Sequence, residues 1–174
     1  MIMAAGLFWL SRRPLCAVRS HGFYRFFAWI GLLALVLVNI DYWFVEPFSS
    51  RQVVSWIFLL ISLIIVIWGT VSLKKGKAGG QRNDALLIGI EKTTELITAG
   101  AYRYIRHPMY SSFLFGAWGI CIKHYSWLSL MFTCMTTLFA IVTAKREEIE
   151  NVRYFGNAYR DYIKQTRMFI PFIF

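Results

Sequence analysis

Residues 52–73 form an apolar run of 22 residues that contains no Asp, Glu, Lys or Arg. A helix needs roughly 20 predominantly apolar residues to cross the hydrocarbon core of a bilayer. The run therefore predicts a membrane-spanning helix, and with it a chain whose partner is the lipid bilayer. The composition agrees, because 57% of the residues are hydrophobic and only 16% are charged, against about 25% charged in soluble domains.

Three further apolar runs extend this prediction. Residues 26–45 carry one charge, Asp41, and residues 125–144 carry none. Residues 109–122 are uncharged over only 14 positions, which fits either a short crossing or a buried core helix. We predict an all-α integral membrane protein with about four transmembrane helices, in which the last two form a helical hairpin with its tip at residues 123–126.

The 19 Lys and Arg residues are divided unequally between the two sides of these runs. Counted in chain order, four of them precede the first run, seven lie between the second and third runs, and six follow the fourth run. Only Arg51, between the first two runs, and Lys123, between the last two, fall on the opposite side of the membrane. The positive-inside rule then places both termini in the cytoplasm. This distribution explains the net charge of +10 without a nucleic-acid partner. Lys123 and His124, at the hairpin tip, are expected at the surface.

The chain is predicted to form a single integrated domain in two parts. Residues 1–84 supply an N-terminal arm and the first two helices, and residues 85–174 supply the functional core. Within that core we expect a helix over residues 143–164 that breaks near Gly156, and an apolar end, residues 168–174, that packs back on the protein or enters the membrane interface. The three cysteines have no metal-ligand spacing, so no metal site is predicted.

The densest polar and aromatic cluster, residues 100–110, lies where the central cytoplasmic segment enters the third run. Pro108 suits the first turn of a helix, because its missing N–H costs little there. Such a helix start offers free N–H groups and partial positive charge beside Arg106 and His107, and so suits a carboxylate or phosphate. The alternative is that Arg106 and His107 only anchor the helix to lipid headgroups.

A second polar cluster, residues 145–148, directly follows the fourth run. In a hairpin the end of the fourth helix lies beside the start of the third, so Glu147 and Glu148 should approach His107 and Tyr110. The alternative is an ordinary solvated helix segment. Because two polar clusters converge on one membrane edge, a joint site is favoured.

The motif Gly100-x-Tyr102-x-x-x-Arg106-His107-Pro108-x-Tyr110 resembles the signature of the isoprenylcysteine carboxyl methyltransferase and phospholipid methyltransferase superfamily. The later motif Glu147-Glu148, followed by Phe155-Gly156-x-x-Tyr159-x-x-Tyr162, resembles its C-terminal signature. The resemblance covers roughly residues 85–174. It implies methyl transfer from S-adenosylmethionine to a lipophilic acceptor at the cytoplasmic membrane face.

The resemblance also implies a set of cofactor-binding residues. They are Glu95, Leu96, Ile97, Tyr102, His107, Pro108, Met109, Tyr110 and Glu147. On chemical grounds, Arg106 and His107 suit the methionyl carboxylate and Glu147 suits the ammonium group. Tyr102 and Tyr110 suit the adenine or the sulfonium, because aromatic faces stabilise a cation.

Two positions depart from the family pattern. Thr94 stands where a histidine is common, and Thr143 stands where the family has an arginine for the substrate carboxylate. Thr143 and Arg146 are therefore only candidates for substrate contact, and Arg106 is the one candidate for a catalytic role.

The acceptor stays open between an isoprenylcysteine-like carboxylate and a lipid amine, the latter implying a phospholipid or other N-methyltransferase. A non-enzymatic membrane protein of the same fold and a sterol reductase are the remaining alternatives.

Overall fold

The structure is a computed structural model that describes residues 20–76 and 95–171. Predictions that fall elsewhere, including those for the first residues of the N-terminal arm, for Thr94 and for the last three residues, lie outside these ranges. Every helix or strand element within them is helical, which confirms the all-α prediction. The five α-helices are α1 (His21–Val38), α2 (Ser50–Gly76), α3 (Pro108–Lys123), α4 (Trp127–Phe155) and α5 (Asn157–Gln165).

Three of these helices are long and apolar enough to cross a membrane, namely α1, α2 and α4. They identify an integral membrane protein. With 16 residues, α3 extends only about 24 Å at 1.5 Å per residue, which is less than the hydrocarbon core of about 30 Å. More than half of its residues are buried against its neighbours. The fourth crossing therefore stays a prediction, and the burial of α3 agrees with the alternative of a core helix.

The first helix ends earlier than the predicted run. α1 stops at Val38, and the buried side chain of Asn39 caps it by donating to the Leu35 carbonyl at 2.9 Å. The same amide donates to the Ser129 hydroxyl at 2.9 Å. Asn39 therefore ties the end of α1 to the start of α4, and the chain turns there through a short 3-10 helix that exposes Asp41.

Small residues allow the helices to approach closely, as is usual in membrane bundles. A Cβ added to Gly31 of α1 would lie 2.5 Å from the Thr136 hydroxyl of α4. Between α2 and α3, Ser55 donates to the Gly119 carbonyl at 2.7 Å. α1 thus packs on α4 and α2 on α3, with α3 also touching α4.

The long helix α4 carries the polar cluster beyond its apolar part. Its 29 residues span about 43 Å, so its charged last third extends past a hydrocarbon core of about 30 Å. Gly156 ends α4 with a φ of +63°, a conformation that glycine adopts without the strain a side chain would cause. α5 starts at the next residue, which confirms the predicted break near Gly156.

The chain after α5, residues 166–171, is called here the C-terminal segment. It runs beside the residues that precede α3, where Arg106 N–H donates to the Arg167 carbonyl at 2.8 Å and His107 N–H to the Met168 carbonyl at 3.1 Å. The side chain of Phe169 is buried, with 1% of the residue exposed. This confirms that the apolar end packs back on the protein as far as Phe169, whereas residues 170 and 171 are exposed.

The prediction that Lys123 lies at the surface is wrong. Lys123 is fully buried at the end of α3, where its ammonium donates to Gln52 Oε1 at 3.1 Å and lies 3.5 Å from the centre of the Trp56 ring. His124 is half-buried and stacks on Tyr42 at 3.7 Å. Aromatic rings and an amide thus replace water around the cation, an environment that the local sequence did not predict.

Candidate active site at the membrane edge

His107 joins the two polar clusters at one end of the bundle. It precedes α3 as its N-cap and is 3% exposed. Its Nδ1 lies 3.9 Å from Glu147 Oε2, and its Nε2 lies 3.4 Å from Glu148 Oε1. The start of α3 and the charged third of α4 therefore meet, as the sequence predicted.

Arg106 is directed into the protein rather than towards an open site. Its Nε donates to Glu148 Oε1 at 2.5 Å, and its Nη1 donates to the carbonyls of Ile163 at 3.3 Å and Thr166 at 2.5 Å. Only 9% of the side chain is exposed. These contacts occupy much of the guanidinium, so the structure gives Arg106 a bridging place between α4, α5 and the C-terminal segment.

An apolar and aromatic wall adjoins the polar groups. Tyr110, Ala144 and Phe169 form one buried cluster, and the His107 ring lies 5.6 Å from the Tyr110 ring and 6.2 Å from the Phe169 ring between centroids. The site thus has a carboxylate and imidazole edge beside a hydrophobic wall, a combination typical of small-molecule sites.

One buried polar atom at this edge, Nε2 of His107, lacks a hydrogen-bond partner in the part of the chain that the structure describes, and it lies 3.4 Å from Glu148 Oε1. Glu147, whose side chain is 23% exposed, has His107 as its one ion-pair contact there. A ligand that brings a cation would pair with this partly exposed carboxylate. An ammonium and sulfonium ligand such as S-adenosylmethionine fits this edge.

Two tyrosines of α5 support the site, and they stood in the C-terminal motif without an assigned role. Tyr162 is buried and donates its hydroxyl to the Tyr102 carbonyl at 2.6 Å. Burial raises the pKa of Tyr162, and burial together with the charge of Glu147 raises the pKa of Tyr159. Both phenols therefore stay protonated near neutral pH, and Tyr162 remains a donor.

The other predicted cofactor residues lie apart from this edge. The Pro108 ring and the Met109 sulfur face Gly69 of α2. Glu95 is exposed, whereas Leu96 and Ile97 are half-buried. Thus, of the predicted side chains, the structure places His107, Tyr110 and Glu147 together, and it places Tyr102 beside them through its backbone.

A cavity of about 500 Å³ lies beside this edge, between Leu96 and α5, and is lined mainly by polar residues. His107, Tyr110 and Glu147 are not among its lining residues. The cavity is therefore a neighbour of the polar edge and not the same space.

The substrate candidates are engaged within the protein. Thr143 is fully buried and donates to the Phe139 carbonyl at 2.6 Å. The Arg146 guanidinium lies 5.8 Å from the centre of the Tyr24 ring. Thr143 thus offers no cation to an anionic acceptor, and Arg146 is half-buried beside Tyr24. Among the residues with described coordinates, no group of His, Cys, Asp and Glu is arranged to hold a metal ion.

Glu148 is the residue whose importance the sequence understated. It was expected beside His107 as a member of the acidic pair, but the cofactor role was assigned to Glu147 alone. The structure makes Glu148 the carboxylate that contacts both Arg106 and His107. The doubled acid in the motif was the available signal, and local sequence alone could not show which of the two faces inward.

The fold and this edge define a helical membrane protein with a carboxylate and imidazole site where the start of α3 meets the charged end of α4. Comparison with known protein families then identifies the family to which the chain belongs. The sequence model of the phospholipid methyltransferase family matches residues 50–158, and the chain belongs to this family. The superfamily resemblance noted in the sequence is thereby confirmed.

Curated relatives carry methyltransferase names. A probable protein-S-isoprenylcysteine O-methyltransferase of Oryza sativa subsp. indica is 33% identical over 121 residues, which are 68% of this chain and 63% of the rice protein. A methanethiol S-methyltransferase of Crocosphaera subtropica is 28% identical over 124 residues, 70% of this chain and 48% of its own length. The protein-S-isoprenylcysteine O-methyltransferase of Xenopus laevis is 28% identical over 129 residues, which are 72% of this chain and 44% of the frog protein.

The alignments thus span less than two thirds of the length of these relatives. No solved structure matches the chain.

Proposed function

We propose that this protein transfers a methyl group from S-adenosylmethionine to a lipophilic acceptor at the cytoplasmic face of the membrane. One observation carries the proposal: His107 and Glu147, from the start of α3 and the charged end of α4, lie 3.9 Å apart at a single membrane edge. Methyltransferase names among the relatives support the reaction class. The uneven distribution of Lys and Arg supports the cytoplasmic face.

In this proposal Glu147 binds the ammonium group, because it is the carboxylate that retains both exposure and an unused charge. His107 supplies a hydrogen bond to the same end of the cofactor, and Tyr110 supplies an aromatic face beside the sulfonium. The family resemblance also assigns Tyr102, Pro108, Met109 and the segment Glu95, Leu96 and Ile97 to cofactor binding, and these assignments stay predictions. The bound cofactor supplies an already activated methyl group.

The protein's contribution is then mainly orientation and exclusion of water. The buried cluster around Tyr110 and Phe169 forms an apolar wall that would keep water from the reacting groups. Holding the acceptor in line with the methyl group converts a bimolecular reaction into an intramolecular one, and this effect can supply most of the rate.

A second candidate changes only the acceptor, to an amine or another neutral nucleophile. The observation that favours it is Thr143, which is buried and bonded to Phe139, so that this position offers no cation to a carboxylate. The family description, phospholipid methyltransferase, is compatible with such an acceptor.

The test is methyl transfer from labelled S-adenosylmethionine into membranes that contain the purified protein. We expect label in a lipid-soluble product, and base-stable label there indicates an amine acceptor while base-labile label indicates a methyl ester. His107→Ala and Glu147→Ala should abolish incorporation and leave the protein folded in detergent. Absence of both incorporation and cofactor binding in the wild-type protein would refute the proposal.

A further inference from the structure

The neighbouring carboxylates of Glu147 and Glu148 have different surroundings. Consecutive residues on a helix point about 100° apart, so the two carboxylates approach the His107 ring from different sides. Glu148 lies 2.5 Å from Arg106 Nε and 3.4 Å from His107 Nε2, with 15% of its side chain exposed. Glu147 touches only the other side of the ring, 3.9 Å from Nδ1, and is 23% exposed. Glu148 thus faces the protein and Glu147 faces the site.

Arg106 links Glu148 to the C-terminal segment. The guanidinium that binds Glu148 also donates to the carbonyls of Ile163 and Thr166. The backbone N–H groups of Arg106 and His107 donate to the next two carbonyls of that segment. The Ser111 hydroxyl adds a bond to the Phe169 carbonyl at 2.7 Å. Glu148, Arg106, His107 and the C-terminal segment therefore form one connected unit.

The charges also distinguish Glu148 from Glu147. Arg106 and Glu148 neutralise each other, since they form a hydrogen-bonded ion pair. Glu147 has no such partner in the described part of the chain beyond His107. A cationic ligand group is consequently attracted to Glu147 and not to Glu148. The carboxylate of Glu148, 3.4 Å from Nε2, can then fix the orientation of the His107 ring.

We propose that Glu148 is a positioning residue that, together with Arg106, holds His107 and the C-terminal segment in the arrangement that binds the cofactor, while Glu147 contacts the cofactor itself. This proposal rests on the proposed function. It assigns different roles to two adjacent residues of the same chemistry, so each serves as the matched control for the other.

The experiment compares Glu148→Gln with Glu147→Gln in the full-length protein in detergent. Two readouts are used: affinity for S-adenosylhomocysteine, and hydrogen–deuterium exchange of residues 166–171. For Glu148→Gln we expect faster exchange in the C-terminal segment and affinity weaker by about tenfold, because a neutral amide replaces the charged acceptor beside Arg106. Glu147→Gln should weaken affinity more strongly and leave the exchange at the wild-type rate.

Glu148→Asp guards against a variant that fails to fold, because it keeps the charge beside Arg106. We expect it to restore part of the affinity and to slow the exchange relative to Glu148→Gln. If Glu148→Gln weakens binding with unchanged exchange, Glu148 contacts the ligand directly and the positioning role is wrong. Unchanged affinity in that variant, with a wild-type protein that binds, also overturns the role. A wild-type protein that does not bind removes the proposed function as well, and the two failures are thus distinguishable.

Discussion

The two ends of α3 each bury a cation, and they do so in different ways. Before its first residue, the guanidinium of Arg106 is paired with Glu148, and a second carboxylate, Glu147, remains partly exposed. At its last residue, the ammonium of Lys123 is enclosed by Gln52, a backbone carbonyl and tryptophan rings. Within the described ranges it forms no ion pair with a carboxylate. The first end retains anionic capacity for a ligand, whereas the second has its polar groups satisfied internally.

This difference teaches that burial of charge alone does not mark a functional site. Both cations are costly to remove from water. Within the described residues, only the first end combines its cation with a buried nitrogen that lacks a hydrogen-bond partner, Nε2 of His107, and with a second, partly exposed carboxylate, Glu147. We therefore expect substitutions at the first end to change ligand binding, and substitutions at the second end to change stability alone.

The largest effect on stability is expected for Arg106→Gln, which leaves the carboxylate of Glu148 largely buried without the positive charge that pairs with it. Breaking such a pair costs about 3 kcal/mol, so the unfolding temperature in detergent should fall markedly and S-adenosylhomocysteine affinity should fall with it. Arg160→Gln, at an exposed position of α5, is the control and should match the wild type. An Arg106→Gln protein of normal stability would show that the ion pair contributes little.

Lys123→Met is expected to cost about 2 kcal/mol through the lost cation–π contacts and the unpaired Gln52. Cofactor affinity should stay within about twofold of wild type, because the site lies at the other end of α3. Thermal unfolding and calorimetric titration of the same sample measure both quantities. The exposed Lys164 provides the control substitution. A loss of affinity in Lys123→Met would contradict the separation of the two ends.

Gly31→Ala tests the packing of α1 on α4, away from both ends of α3. Its new methyl group would meet Thr136 at 2.5 Å, and overpacking of this kind costs about 1–3 kcal/mol. Gly116→Ala, with the flexible Ser62 hydroxyl at 3.2 Å, should cost less. The order of the two unfolding temperatures is the measurement, and the reverse order would show that the α1–α4 contact is looser than described.

The smallest effect is expected for Tyr162→Phe, which removes the hydrogen bond to the Tyr102 carbonyl and should cost about 1 kcal/mol. Burial raises the pKa of Tyr162, so the folded state favours the protonated phenol. This stabilisation is present below the ordinary tyrosine pKa of about 10 and is lost as the pH rises above it. The stability difference between wild type and variant should therefore be constant from neutral to weakly alkaline pH and shrink only at higher pH.

The sequence predicted those features that depend on local pattern. Long uncharged runs indicated the helices, Gly156 indicated the break before α5, and the hairpin predicted for the last two runs implied that His107 and Glu147 would meet. The failures depend on tertiary contacts. Lys123 looked like a surface residue at a helix tip, because its enclosure comes from Trp56 and Gln52 of another helix.

The helix lengths show the same limit. Residues 39–45, with Asp41 as their one charge, continued the first run in sequence, but Asn39 ends α1 by bonding to Ser129 across the bundle. The sequence also could not predict that Arg106 bonds within the protein, because its carbonyl partners belong to α5 and the C-terminal segment. Hydropathy reports neither kind of contact, since both join residues far apart in the chain.

The most direct test is a calorimetric titration of S-adenosylhomocysteine into the wild-type protein, Glu147→Ala and Lys123→Met under the same detergent conditions. The wild type and Lys123→Met should bind with similar affinity, and Glu147→Ala should bind at least about tenfold more weakly while unfolding at the wild-type temperature. Equal affinity in the wild type and Glu147→Ala, or no binding by any of the three, would contradict a cofactor site at this membrane edge.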